Sequence, residues 1–283
     1  MTAEATTARD RFPPSIKYLA WNEAAERFSY YGMTSILALY MARNLGIAEH
    51  QSIAWYQLFT FAVYGMPILG ALVADRFWGR YHTILWLSLG YVAGHATLAI
   101  WESGTGLAVG LGLIAIGAGG IKPCASAFAG DQIPPEKETL LAKLYDLYYW
   151  MINLGSTVGT LVIPLLLDRV SPRVAFGVPG LAMAVALLVF WLGRRKYEHV
   201  PPARLAPPPT AAQLESRAGE GRVILRIAAV FVPVIAFWAL FFQYGSSWTL
   251  QADRMDRHVF GFEIAAGQVQ TLDAAFVLTL IPL

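Results

Sequence analysis

The sequence predicts an all-α polytopic membrane protein, on three observations. Of its 283 residues, 56% are hydrophobic and only 14% are charged, against ~25% charged in soluble domains. Apolar runs of spanning length, roughly 20 residues each, recur along the chain. Where charge does enter such a run, it falls on one helix face. From the stretch Asn22–Gly32 onward, Glu23, Glu26, Arg27, Tyr30 and Thr34 follow at spacings of three and four and share a face. Charge at membrane depth is expensive and is kept where it meets a partner charge or a water-filled cavity. That face therefore suits the wall of a transport pathway.

Taken in order, the runs place helix one at 15–42, helix two at 52–74, helix three at 83–101, helix four at 106–129, helix five at 141–167 and helix six at 173–192. A polar stretch follows, with Pro201-Pro202 and Pro207-Pro208-Pro209. It reads as an exposed linker. Helix seven is expected at 223–244, a polar connection at 246–267, and an eighth helix from about Gln268. With the N-terminus inside, thirteen Lys and Arg residues fall in inside segments and five in outside ones, as the positive-inside rule requires. Trp55, Trp78, Trp86, Trp101, Trp191 and Trp248 lie near proposed helix ends, where interfacial anchors sit. The domains are then residues 1–14, a cytoplasmic tail; 15–193, a six-helix bundle; 194–222, a cytoplasmic linker; and 223–283, helix seven, an outer loop and part of helix eight. Six spans, a linker and a second set of spans are the plan of a major facilitator fold. The second set stops partway, so the chain reads as incomplete. A seven-helix protein with a re-entrant tail is the alternative.

Net charge is +2, too small to suggest a nucleic-acid partner. The single cysteine, Cys124, excludes an intrachain disulfide. The first twelve residues lack the apolar core of a signal peptide. No cofactor or metal is expected. His95 is the one histidine within a proposed span, read as a packed residue, and no Gly-x-Ser-x-Gly turn appears. An enzyme is therefore not expected, and a membrane-embedded hydrolase or a truncated, non-transporting regulator is the weaker reading.

Further polar landmarks follow. Gly70-Ala71-Leu72-Val73-Ala74-Asp75-Arg76-Phe77-Trp78-Gly79-Arg80 closes helix two. Gly70, Asp75, Arg76 and Gly79 are read as a structural latch between helices, with a merely positive loop as the alternative. In Gly117-Ala118-Gly119-Gly120-Ile121-Lys122-Pro123-Cys124, a lysine sits inside a glycine-rich helix. Such a lysine needs an acid, and Glu23 and Glu26 are the acids at comparable depth. A Glu–Arg–Lys cluster joining helices one and four is expected, with snorkelling as the alternative. Asn153, in Tyr145–Ser156, offers two donors and an acceptor to a ligand or to a neighbouring helix. The aromatic run Phe237–Gln243 is read as packing or pocket wall.

Together these blocks resemble the proton-dependent oligopeptide transporter family of the major facilitator superfamily. Glu23-x-x-Glu26-Arg27-Phe28-x-Tyr30-Tyr31-Gly32 is similar to its helix-one motif. Gly70–Gly79 and Tyr145–Ser156 are similar to its two signatures, and Ile121-Lys122-Pro123 and Phe237–Gln243 also match. The resemblance implies proton-coupled symport of di- and tripeptides across the cytoplasmic membrane, with protons, small peptides and the lipid bilayer as partners. It implies proton coupling by Glu23, Glu26, Arg27 and Lys122, and a peptide pocket lined by Tyr30, Tyr31, Tyr64 and Asn153 beside Arg27 and Lys122. Two positions depart from it. Thr34 stands where many bacterial members carry an arginine, and Phe242 where they carry an acid, so a gating charge pair is absent as a whole. A zwitterionic peptide also needs an anion for its amino end. No span offers an obvious one, and it is expected beyond Leu283. The same scaffold carrying nitrate or another organic anion is the alternative cargo.

Overall fold

The computed structural model describes residues 11–137, 139–202, 220–259 and 261–280. The readings made for residues 1–10, for linker residues 203–219 and for the last three residues lie outside these.

Six long helices come first: α1 (Ile16–Arg43), α2 (Glu49–Val73), α3 (Gly79–Ile100), α4 (Gly104–Gly130), α5 (Thr139–Arg169) and α6 (Pro172–Leu192). Their starts are legible locally. Ser103 accepts the Gly106 amide at 3.0 Å, and Ser171 accepts the Val174 amide ahead of Pro172. Both serve as N-caps, one with proline in the first turn. After the linker come α7 (Glu220–Phe241), a 3-10 turn at Phe242–Gly245, α8 (Ser247–Asp253) and α9 (Thr271–Leu280). The expected polar connection at 246–267 is more ordered than a loop. Besides α8 it holds an antiparallel hairpin, β1 (His258–Val259) with β2 (Phe262–Glu263). Helix seven starts and ends three residues earlier than expected, giving way to the 3-10 turn at Phe242.

The helix most charged is also the one most enclosed. α1 packs against α5 and α6, while α3 packs against α4 and α6, and α2 against α4. Five helical runs among the described residues are long and apolar enough to cross a membrane; α1 is not among them. Its polar residues instead face neighbours. Asn22 donates to the Ala186 carbonyl at 2.8 Å, and Ser29 meets His95 Nε2 at 2.9 Å. His95 is fully buried and stacks on Tyr91, the packed role expected of it. All six tryptophans read as interfacial anchors are exposed on the outside of the fold.

α2 and α3 are joined by a π-helical turn, Ala74–Trp78, ended by Gly79 at φ +76°, a conformation that L side chains rarely adopt. Here the latch differs from its expected form. Arg76 is exposed and forms no ion pair among the described residues. Arg80 carries the contact instead. Its Nη1 donates to both oxygens of Asp131, at 2.6 Å each, and its Nε lies 3.9 Å from Asp75. The start of α3 is thus tied to the end of α4. Gly70 fits its expected role: a Cβ there would lie 2.5 Å from the Gly119 carbonyl oxygen of α4.

The approach of α5 to α1 is closer still. A Cβ on Gly155 would stand 2.1 Å from the Ala24 carbonyl oxygen. Gly155→Ala should therefore force the two helices apart, at a cost of about 1–3 kcal/mol. Thermal unfolding in detergent should show a lower midpoint, while Gly90→Ala, with nothing within 4 Å, leaves it unchanged.

Candidate functional site

The centre of the site is one turn of α1. Arg27 Nε lies 3.1 Å from Glu23 Oε1, and its Nη2 pairs with Glu26. All three side chains are buried. The attraction is electrostatic rather than a set of aligned bonds: neither oxygen of Glu26 receives a directed hydrogen bond among the described residues. Two acids thus share one arginine.

Lys122 of α4 does not complete this cluster as a direct ion pair. No carboxylate among the described residues lies within the 4.0 Å of an ion pair. Its Nζ stands 4.2 Å from the centroid of Tyr30 and 4.2 Å from that of Tyr64. The physical reason is reach and geometry. Tyr30 comes from α1 and Tyr64 from α2, and their two ring faces offer a desolvated ammonium an attraction of about 2 kcal/mol or more. A pair of negative ring faces therefore does the holding expected of a carboxylate. Charge still balances locally, with Glu23 and Glu26 against Arg27 and Lys122.

Tyr31 meets Tyr30 edge to face at 5.2 Å and turns towards α5. There it lines a small cavity with Ile152, Asn153, Ser156, Thr160, Tyr244 and Asp273. Asn153 donates to the Tyr149 carbonyl of its own helix at 2.8 Å while also lining that cavity; the bond stays within α5 and does not reach a neighbouring helix as expected. Gly155 and Gly159 bring α5 against α1, which is why Asn153 and Tyr31 share a wall.

Two cavity residues went unread in the sequence. Asp273, an acid in the first turn of α9, lines the cavity from the second half. It lies within the helix expected from about Gln268, among the polar residues Gln268, Gln270 and Thr271, where one more polar side chain does not stand out. The signal available was its spacing, three residues after Gln270 and so on the same face. Gln270 is buried; its Nε2 donates to Thr249 Oγ1 at 2.9 Å, and its Oε1 has no partner.

Of the two departures, Thr34 is buried and its hydroxyl donates to the Tyr31 carbonyl at 3.2 Å. Phe242 packs its ring on Tyr64 at 4.9 Å and on Trp238 at 5.4 Å. An apolar ring contact occupies the Phe242 position.

Comparisons with known proteins bear on this arrangement. A model of the POT family matches residues 81–216 and 211–283. The chain is 39% identical to Peptide transporter family 1 of Drosophila melanogaster over 315 residues, covering 96% of this chain and 42% of that protein. It is 36% identical to Solute carrier family 15 member 2 of Danio rerio, covering 96% and 44%. The chain thus spans less than half the length of these curated relatives. A crystal structure of the POT family transporter PepTSo superposes with a TM-score of 0.84 at 35% identity, covering 96% of this chain and 68% of that one. A second structure, of a proton dependent oligopeptide (POT) family transporter, gives 0.80 at 36% identity, covering 94% and 70%. The fold is that of these transporters.

Removing Arg27 should be far more harmful than removing the whole cluster. Arg27→Gln leaves two buried acids without their cation, a loss of about 3–5 kcal/mol. The triple variant Glu23→Gln, Glu26→Gln, Arg27→Gln should recover most of it, as read by thermal unfolding.

Proposed function

Because the chain belongs to the POT family, we propose that the protein is a proton-coupled symporter of di- and tripeptides that works by alternating access in the cytoplasmic membrane. One observation carries the reading: Glu23, Glu26 and Arg27 form a single buried cluster, and Lys122 stands on the same tyrosine wall that leads to Asn153. Proton and peptide carboxylate compete there for the same cations. When Glu26 takes a proton, Arg27 loses a partner and can accept a carboxylate. A peptide carboxylate would draw on Arg27 and Lys122, its backbone on Asn153, and Tyr30, Tyr31 and Tyr64 would line its path. Asp273 supplies an anion for the amino end, which favours peptides over nitrate or another simple anion. Each charge carried down a potential of 100 mV contributes ~2.3 kcal/mol. The thirteen-to-five distribution of Lys and Arg favours a cytoplasmic N-terminus.

Lys122→Ala in the full-length protein should abolish proton-driven peptide uptake in proteoliposomes. Glu26→Gln should abolish pH-driven accumulation while sparing part of the counterflow exchange, since the amide keeps the shape but not the proton site. Accumulation at the wild-type level in either variant would overturn the coupling role.

Asp273→Asn should raise the KM for an unblocked dipeptide about tenfold and leave that for its N-acetylated form unchanged. This is the scale of one charge-assisted hydrogen bond. Competition uptake with the two peptides measures the difference.

A further inference from the structure

Buried polar atoms without an aligned hydrogen bond gather between α1 and α3: both oxygens of Glu26, the Tyr91 hydroxyl and His95 Nδ1. The transport reading uses only Glu26 of these. His95 is fully buried in α3. Its Nε2 lies 2.9 Å from Ser29 Oγ, and its ring stacks on that of Tyr91, one turn earlier, at 5.2 Å and 16°. The imidazole has little room to turn. Gly180 of α6 approaches it so closely that a Cβ there would stand 2.8 Å from the His95 Cβ, and the adjoining Gly94 lies against the Gly110 carbonyl of α4. Ser29 is fully buried too, one turn beyond Glu26 on α1. The Tyr91 hydroxyl faces both Ser29 and Glu26.

Among the described residues no carboxylate pairs with His95. A buried imidazolium without one is costly, so the ring is neutral and carries one N–H. On Nδ1 that proton would meet no acceptor, and a buried donor left unmet is expensive. On Nε2 it donates to Ser29 Oγ. This choice gives the group a direction. The Ser29 hydroxyl, already accepting, is left to donate to Tyr91, and the phenol is left to donate to Glu26.

We propose that His95 is a positioning residue for the proton step: through Ser29 and Tyr91 it directs a hydrogen-bond chain onto the Glu26 carboxylate, and so sets the pH at which Glu26 takes its proton. The proposal rests on the transport reading, in which Glu26 carries that proton. Its sign follows from the direction of the donors. A hydrogen bond donated to the ionised form favours that form, so the intact chain delays protonation to lower pH, and cutting it moves the midpoint up. The other groups acting on Glu26 are Glu23, Arg27 and Tyr31 of α1, Tyr64 of α2 and Lys122 of α4. From α5, Tyr148 faces Glu23, and α6 meets His95 with Gly180. All of these stay in place when His95 is changed.

The test titrates full-length protein in lipid while infrared spectroscopy follows the carboxylic-acid C=O band that Glu26→Gln removes. His95→Phe keeps a ring on Tyr91 and loses the bond to Ser29. Its midpoint should rise by about 0.5–1 pH unit, the scale of one net hydrogen bond. Ser29→Ala, a smaller change, should raise it as much, and it decides alone if His95→Phe does not fold. The double variant should rise no further, because both substitutions cut one chain. His95→Gln, whose Nε2 can stand in for the imidazole Nε2, should return the midpoint to that of the wild type. A residue that only packs would lower the thermal midpoint and leave the titration where it was. An unmoved titration in either folded single variant, shifts that add in the double, or a His95→Gln midpoint as high as that of His95→Phe would each overturn the proposal. Dipeptide uptake driven by a pH gradient in the same preparation separates the two readings. A band that shifts as expected without uptake would sink only the transport reading. Uptake with an unmoved band would sink only the role of His95.

Discussion

A membrane helix cannot hold charge it does not balance, and Arg27 is where this chain meets that condition. One guanidinium serves two carboxylates within a single turn of α1. The remaining cation of the cluster, Lys122, is held by tyrosine rings on its two sides. Everything around this group is arranged to keep it dry enough for its charges to matter and connected enough to be worth keeping. α1 lies against α5 and α6 because its polar face has no favourable place in lipid. Ser29 finds His95, and Asn22 finds a carbonyl of α6, for the same reason.

Close helix contact is the second requirement, and it follows from the first. Cations such as Lys122 reach α1 and α2 rings because the stretch Gly117–Gly120 lets α4 sit against α2 and α3; Gly119 itself lies against Met66. Likewise α5 brings Asn153 to Tyr31 by giving up side chains at Gly155 and Gly159. Small residues at these faces are how helices associate in lipid, where apolar surface gives no drive of its own. The site is therefore assembled from four helices, each of which contributes few polar groups.

The spans, and the charged face of α1, were readable in the sequence because length and charge leave a strong one-dimensional trace. Helix ends α1 through α6 fall within a few residues of their expected positions. Partner choice left a weaker trace. That Lys122 sits between rings rather than against an acid depends on where α2 places Tyr64, which no spacing in the sequence states. At the α2–α3 junction, where a latch was expected, the arginine that pairs is Arg80, with Asp131 some fifty residues on. The α8 turn and the hairpin were lost for a different reason: short polar elements between spans look like loop, while Asp273, inside the helix expected from about Gln268, looks like a cap.

The low apolarity of α1 has a consequence for how the chain is made. A helix with three ionisable residues near its middle is a poor substrate for insertion, since each such charge costs about 2.5–3.5 kcal/mol at the helix centre. The surfaces that shelter those residues belong to α5 and α6, which are synthesised more than a hundred residues later. During translation α1 must wait, either held at the insertion machinery or carried in as a hairpin with the more apolar α2. The buried charge cluster and the first step of biogenesis are thus in tension: the charges that suit one burden the other. α7, apolar beyond Arg226 and exposed along most of its described length, has no such dependence and can enter the bilayer on its own.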